Sequence, residues 1–186
     1  GDVTMSVQNL PQDYLARYGP KVHADNGAYE WLVEKSSAGT FNKIDANAVF
    51  DLSRETRDDG SPLPPWLTSA VADFTFQGMV IDYKSPLPPA TGVNGSGQLE
   101  NIAMTMTVTE ADIGGMKTSD ATLFFDDLIT TGSGLGTLTL PITAQAQDVF
   151  DFIATQPIGA FDKIDFKPVD TKGDVEATIK VEIPLL

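Results

Sequence analysis

The sequence predicts a mainly β chain of the α+β kind, an antiparallel sheet with two or three short helices packed on it. Three observations carry that expectation. Apolar residues recur at every second position in run after run along the 186 residues, the spacing that turns one face of a strand toward a core. Helical spacing is confined to a few short stretches. Proline and glycine clusters separate the alternating runs, as strand ends and tight connections require.

Taken in order, Gly1, Asp2 and Val3 open in strand-like alternation, and a short helical turn is expected near Gln12 to Arg17. Ala28 to Lys35 reads as a helix: Tyr29, Leu32 and Val33 share a face, Asp25 or Asn26 can cap its start, and Gly39 lies beyond its end. Ile44, Ala46, Ala48 and Phe50 then alternate with polar Asp45 and Asn47, a half-wet strand. The polar stretch from Arg54, extending to Trp66, reads as an exposed loop. From Ala72 the apolar positions are even through Phe74 and Phe76 but odd at Met79, Ile81 and Tyr83, so a bulge is expected at Gly78. Gly92, Asn94, Gly95, Ser96 and Gly97 read as turn residues. Ile102, Met104, Met106 and Val108 form the next alternating run, and Leu138, Leu140 and Ile142 another. Between them, Gly132 to Gly136 reads as a hairpin turn: a phosphate loop would need a lysine and a following helix. Ala146, Val149, Phe150 and Ile153 have the i, i+3, i+4, i+7 spacing of an amphipathic helix that stops before Pro157. Phe161, Ile164 and Phe166 lie in a connector, and Val175, Ala177, Ile179, Val181 and Ile183 close the chain as its cleanest strand.

The motif Ser-Pro-Leu-Pro-Pro occurs twice, at Ser61 to Pro65 and Ser85 to Pro89. A polyproline docking peptide normally lies in a flexible tail. Both copies are hemmed in by strand-like sequence, so they read as strand punctuation: proline lacks the ladder donor.

Composition narrows the chemistry. The chain has no cysteine and one histidine, His23, which excludes disulfides, thiol nucleophiles and histidine-based triads or metal clusters. A formal charge of −14 repels nucleic acid and anionic headgroups alike. Asp126 and Asp127, and Asp148 and Asp151, lack the spacing of a calcium loop and read as solvated edges. No cofactor, metal or catalytic residue is nominated, and one domain is expected over residues 1–186. No apolar run is long enough to span a bilayer.

The order of the pieces carries a resemblance. Leu10-Pro11 with Tyr14 and Leu15, then Ala28-Tyr29-Glu30-Trp31-Leu32 and Ala38-Gly39, is followed by Phe76-Gln77-Gly78-Met79 with Asp82-Tyr83, Pro86 to Pro89, Gly92-Val93 and Gly95-Ser96-Gly97. Ile113 to Met116 with Ala121-Thr122, Leu138 to Ile142, Val149 to Ile153, and Gly173-Asp174-Val175 with Pro184-Leu185 complete the series. This order resembles the AsmA-like proteins of the YhdP type over nearly the whole chain, apart from the loop Arg54 to Trp66. The resemblance implies a curved sheet with an apolar groove. It also implies that the chain is a periplasmic segment of a larger inner-membrane-anchored protein, its anchor outside the segment, serving phospholipid transport across the Gram-negative cell envelope without chemistry of its own.

A sheet with one greasy face must hide it against helices, a second sheet or a ligand. The candidate groove residues are Phe74, Phe76, Ile102, Met104, Met106, Val108, Leu138, Leu140, Ile179 and Val181. Met79, Met104, Met106 and Met116 would give adaptable walls to phospholipid acyl chains, or fill an ordinary core. The other reading is a scaffold domain that buries its whole apolar face. Bare strand edges on such a segment are expected to pair with a second copy.

Overall fold

Each alternating run becomes a strand, and the strands pair antiparallel in chain order. The computed structural model describes residues 1–18, 35–51, 66–83, 85–127, 134–162, 164 and 168–184. Strand β1 (Asp2–Pro11) runs into helix α1 (Gln12–Tyr18). Strands β2 (Ser36–Ser37) and β3 (Thr40–Asp51) follow on either side of a kink at Ala38 and Gly39, both with positive φ. Then come β4 (Trp66–Ile81), β5 (Ala90–Glu100), β6 (Ala103–Ile113), β7 (Met116–Thr118), β8 (Ala121–Phe125) and β9 (Leu135–Gln145). Helix α2 (Ala146–Ala154) precedes the last strand, β10 (Asp174–Pro184). The hydrogen-bonded order is β1-β3-β4-β5-β6-β7-β9-β10, with β2 beside β4 and β8 between β6 and β9. The expected mainly β, antiparallel architecture with few helices is thus what the chain adopts.

Register decides which side chains meet. Residues directly opposite each other share a face, and one such row runs Val7, Ile44, Phe74, Gly97, Met106, Leu123, Leu138, Val181 across the whole sheet. The neighbouring row, on the other face, runs Ser6, Asp45, Asp73, Gln98, Thr105, Phe124, Thr137, Glu182. One face is apolar and the other nearly all polar. The parity change in β4 is absorbed where the sequence places it: the β4–β5 register slips between Phe76 and Met79, and Gly78 has φ +65°. Its N–H donates to Oδ1 of Asn94 at 2.8 Å. Phe76 and Met79 are both buried as a result.

Several expectations are corrected. Gly92 to Gly97 is not a turn but the middle of β5. Its glycines make room for aromatic rings, since a Cβ on Gly97 would meet Cζ of Phe74 at 2.1 Å and one on Gly95 would meet Cζ of Phe76 at 2.8 Å. A glycine facing a cross-strand aromatic belongs in a strand, because the ring covers the backbone that glycine leaves bare. Trp66 opens β4 rather than closing the expected loop over 54–66, and residues 52–65, with the first Ser-Pro-Leu-Pro-Pro copy, lie outside the described residues. The second copy forms the connection between β4 and β5. The helix expected over Ala28 to Lys35 also lies outside them except for Lys35, as do His23, Gly132, Ser133 and Phe166. Leu135 and Gly136 already belong to β9.

Three connections leave one end of the sheet. The excursion after β1 closes at its base through the N–H of Gln12 to the carbonyl of Gly39 at 3.2 Å, and the one after β9 through Ala146 N–H to Gly173 at 2.8 Å. The β4–β5 connection leaves from the same end. Between them sits the tight β6–β7 turn, Gly114-Gly115, φ +60° and +92°. A Cβ at Gly114 would lie 2.8 Å from Cγ of Pro88, and one at Gly115 would lie 2.9 Å from Oδ2 of Asp148. The connection and helix α2 therefore close on that turn from both sides.

Candidate functional site: a trough on the apolar face

On the apolar face lies a cavity of about 570 Å³, within the range of small-molecule sites, roughly 300–1,000 Å³. Strands β3 and β4 supply Phe41, Phe74, Phe76, Met79 and Ile81, and β5 and β6 supply Val93, Met104, Met106 and Val108. Strands β8 to β10 add Leu123, Phe125, Leu138, Leu140, Ile179 and Val181, while Leu87, Phe152 and Ile158 come from the connections. Alternation explains why one cavity collects residues from so many strands: each contributes every second side chain to the same side. Val181 is 40 % exposed, so the trough reaches the surface at β10.

Nine of the ten candidate groove residues line this cavity: Phe74, Phe76, Met104, Met106, Val108, Leu138, Leu140, Ile179 and Val181. Ile102 does not. It sits in the turn with Asn101, whose φ is +56°, just before β6 begins, and it is 43 % exposed. Its even parity with Met104 means nothing where the backbone has left the pleat. Of the four methionines, Met79, Met104 and Met106 line the trough, whereas Met116 is fully buried against Ile113 as ordinary core.

Helix α2 also departs in detail from its expected face. Ala146 is buried and Val149 packs on the core, but Phe150 turns to Phe161, ring centroids 6.0 Å apart, and Phe152 joins Val149 in facing the sheet. The signal for Phe152 was its i+3 spacing from Val149.

The polar residues on the trough are Ser36, Tyr83, Thr118, Thr122 and Glu182. Ser36 Oγ accepts from Nε2 of Gln12 at 3.1 Å, and Thr118 Oγ1 donates to the carbonyl of Pro141 at 2.5 Å. Tyr83 is different: its hydroxyl is buried and makes no hydrogen bond. Burial, with the carboxylate of Asp82 behind it, pushes the phenol up to about 12, so at neutral pH it is a protonated donor. No lysine or arginine among the described residues lines the cavity.

The opposite face has its own chemistry. Ser6 Oγ donates to Oδ1 of Asp45 at 2.7 Å, Lys43 Nζ lies 2.5 Å from Oδ2 of Asp45, and Gln98 Nε2 donates to Oδ1 of Asp73 at 3.0 Å. The hydrogen bonds from Lys43 and Ser6 hold the Asp45 carboxyl below the ordinary range, and the same bond to Asp45 raises Lys43. A larger hollow on this face, about 820 Å³, is lined by Thr91, Glu110, Asp112, Lys117, Thr143 and Glu176 among others. Among the described residues no three His, Cys, Asp or Glu side chains come together as a metal site. No family model, curated protein or solved structure matches this chain.

Proposed function

We propose that this chain is a periplasmic segment of an AsmA-like protein whose apolar trough shelters phospholipid acyl chains on their way between the inner and outer membranes. The observation that carries the reading is the cavity of about 570 Å³ into which β3 to β6 and β8 to β10 turn apolar side chains. Burying a methylene is worth about 0.8 kcal/mol, so an acyl chain of roughly sixteen carbons drawn from a bilayer forfeits on the order of 12 kcal/mol unless an apolar surface receives it. A continuous trough offsets that loss, and a few hydrogen bonds do not. Adaptable Met79, Met104 and Met106 suit chains of varied shape. Among the described residues no helix is long and apolar enough to cross a membrane, and in this reading the anchor belongs to another part of the protein. The edges left by β1 and β10 are where further strands, or a second copy, would join.

A scaffold reading is favoured by a different observation. Val149 and Phe152 of α2 already cover part of the apolar face, as they would if that face were only a core. Native mass spectrometry of the chain extracted gently from cells separates the two. Co-purifying phospholipid is the expected result; a consistently lipid-free chain that also fails to take up an apolar fluorescent probe would leave the scaffold.

A further inference from the structure

The two edges of the sheet are unequal. Among the described residues no strand lies beyond β1 on one side or beyond β10 on the other. The ladder from β1 to β3 skips Asn9, whose φ is +53°, and β1 ends in Pro11. Strand β10 instead pairs with β9 at every residue from Asp174 to Pro184, without a register shift. A long edge free of bulges and internal proline is the kind that recruits another strand. The trough also opens at this edge, where Val181 is 40 % exposed and Glu182 borders the cavity. Its wall is therefore incomplete at β10.

We infer that a second copy of the chain completes it: the two β10 strands pair antiparallel about a two-fold axis at Ala177, joining the sheets and closing each trough at its open end. Such an axis stands perpendicular to the sheet and keeps both apolar faces on one side, so even-numbered residues meet even-numbered ones. The charges of β10, Asp174, Glu176, Lys180 and Glu182, all have that parity and choose among the registers. Over Asp174–Pro184, only centres from Ala177 to Val181 pair seven or more residues of each strand. Centring on Lys180 sets that lysine against itself, and centring on Ile179 sets Glu176 against Glu182. Centring on Thr178 matches Glu176 with Lys180 but sets Asp174 against Glu182. Centring on Val181 matches Lys180 with Glu182 but ends on Pro184, which has no N–H for the ladder. Centring on Ala177 places Asp174 opposite Lys180 twice, and Val175 opposite Ile179 twice on the trough side, with no like charges opposed. Glu176 then faces Thr178, and Glu182 falls level with Lys172 of the second copy. Gln145 Nε2 donates to Oδ1 of Asp174, which leaves Oδ2 for the lysine.

The pairing does not depend on what the trough carries. A net charge of −14 opposes association, so the test is run at about 0.15 M salt, where charges are screened beyond about 8 Å. Sedimentation equilibrium of the chain, of Asp174→Lys, of Lys180→Glu and of the double swap reads the dimer constant, and circular dichroism checks that each variant folds. The expected result is a weak, concentration-dependent dimer. Each single change loosens it by about three- to thirtyfold, through two cross-strand pairs turned repulsive, and the double swap restores it. Asp174→Lys is the sharper variant, because it lowers the net negative charge and on that ground alone would strengthen association. A tighter dimer in Asp174→Lys, as a centre at Thr178 requires, or an unchanged one, as a centre at Val181 requires, overturns this register. A chain that stays monomeric to about 1 mM, or a dimer indifferent to all three variants, overturns the β10 interface altogether and leaves the acyl-chain reading to its own test.

Discussion

The two faces of the sheet are built by the same strands, one residue out of step, and they respond to change by different rules. The row through Ile44, Phe74, Met106, Leu123 and Leu138 is apolar, and it is held by fit: Phe74 and Phe76 are 6.2 Å apart at their centroids and lie across Gly97 and Gly95. The row through Asp45, Asp73, Gln98 and Thr105 is wet, and its contacts are single hydrogen bonds and one exposed ion pair. A closely packed face is sensitive to volume and charge, whereas an exposed polar face exchanges its partners for water at little cost.

The largest effect expected from that contrast is a charge placed on each side. Leu140→Asp puts a carboxylate into the buried row and should cost about 4 kcal/mol or more, enough to unfold a domain of ordinary stability. Thr137→Lys, exposed on the other face and opposite Glu182, should stay within about 0.5 kcal/mol. Urea denaturation of both variants checks the pair, and similar losses would break the distinction between the faces.

A smaller effect probes fit alone. Gly97→Ala adds one methyl where the Phe74 ring already lies, and overpacking of this kind costs about 1–3 kcal/mol. Phe74→Leu in the same chain should recover part of the loss, so a double-mutant cycle should give a favourable coupling of about 1 kcal/mol. Strict additivity would mean that the ring does not rest on the glycine.

The smallest expected effects are in pH, and the two faces should differ in sign. Tyr83 is raised from its ordinary 10.0 to about 12, so the fold favours the neutral phenol. Stability on its account is whole below pH 10 and lost as pH rises toward 12, by about 1–2 kcal/mol after allowing for screening of a partly exposed ring. Tyr83→Phe should lose that share of the alkaline slope. Asp45 is lowered instead, so its contribution is present above the ordinary carboxylate range and fades on acidification. An NMR titration should find its carboxyl shifted back upward in Lys43→Met, with no resolvable change in stability at neutral pH, because the pair is exposed.

Which parts of this were legible depended on how local the signal was. The bulge at Gly78 showed in the sequence because parity on either side of it disagrees, and β10 showed because Val175 to Val181 alternate without a break. Gly95 and Gly97 look like turn residues in the sequence because their reason for being glycine is a ring on the preceding strand, about twenty residues back. Ile102 was misread because parity persists in the letters after the backbone has turned. Phe152 was passed over beside Phe150, since two phenylalanines one residue apart on a helix face different ways and only the packed structure shows which one meets the sheet.

The sequence by itself determined that this chain is a two-faced antiparallel sheet with no cysteine and a single histidine, because a period of two and the presence of residue types are properties of the string. Only the tertiary structure decided that side chains from β3 to β10 share one cavity and that the Tyr83 hydroxyl is buried without a hydrogen-bond partner. Register sums over every strand pair and burial depends on all of them at once, so neither can be read from any one stretch of residues.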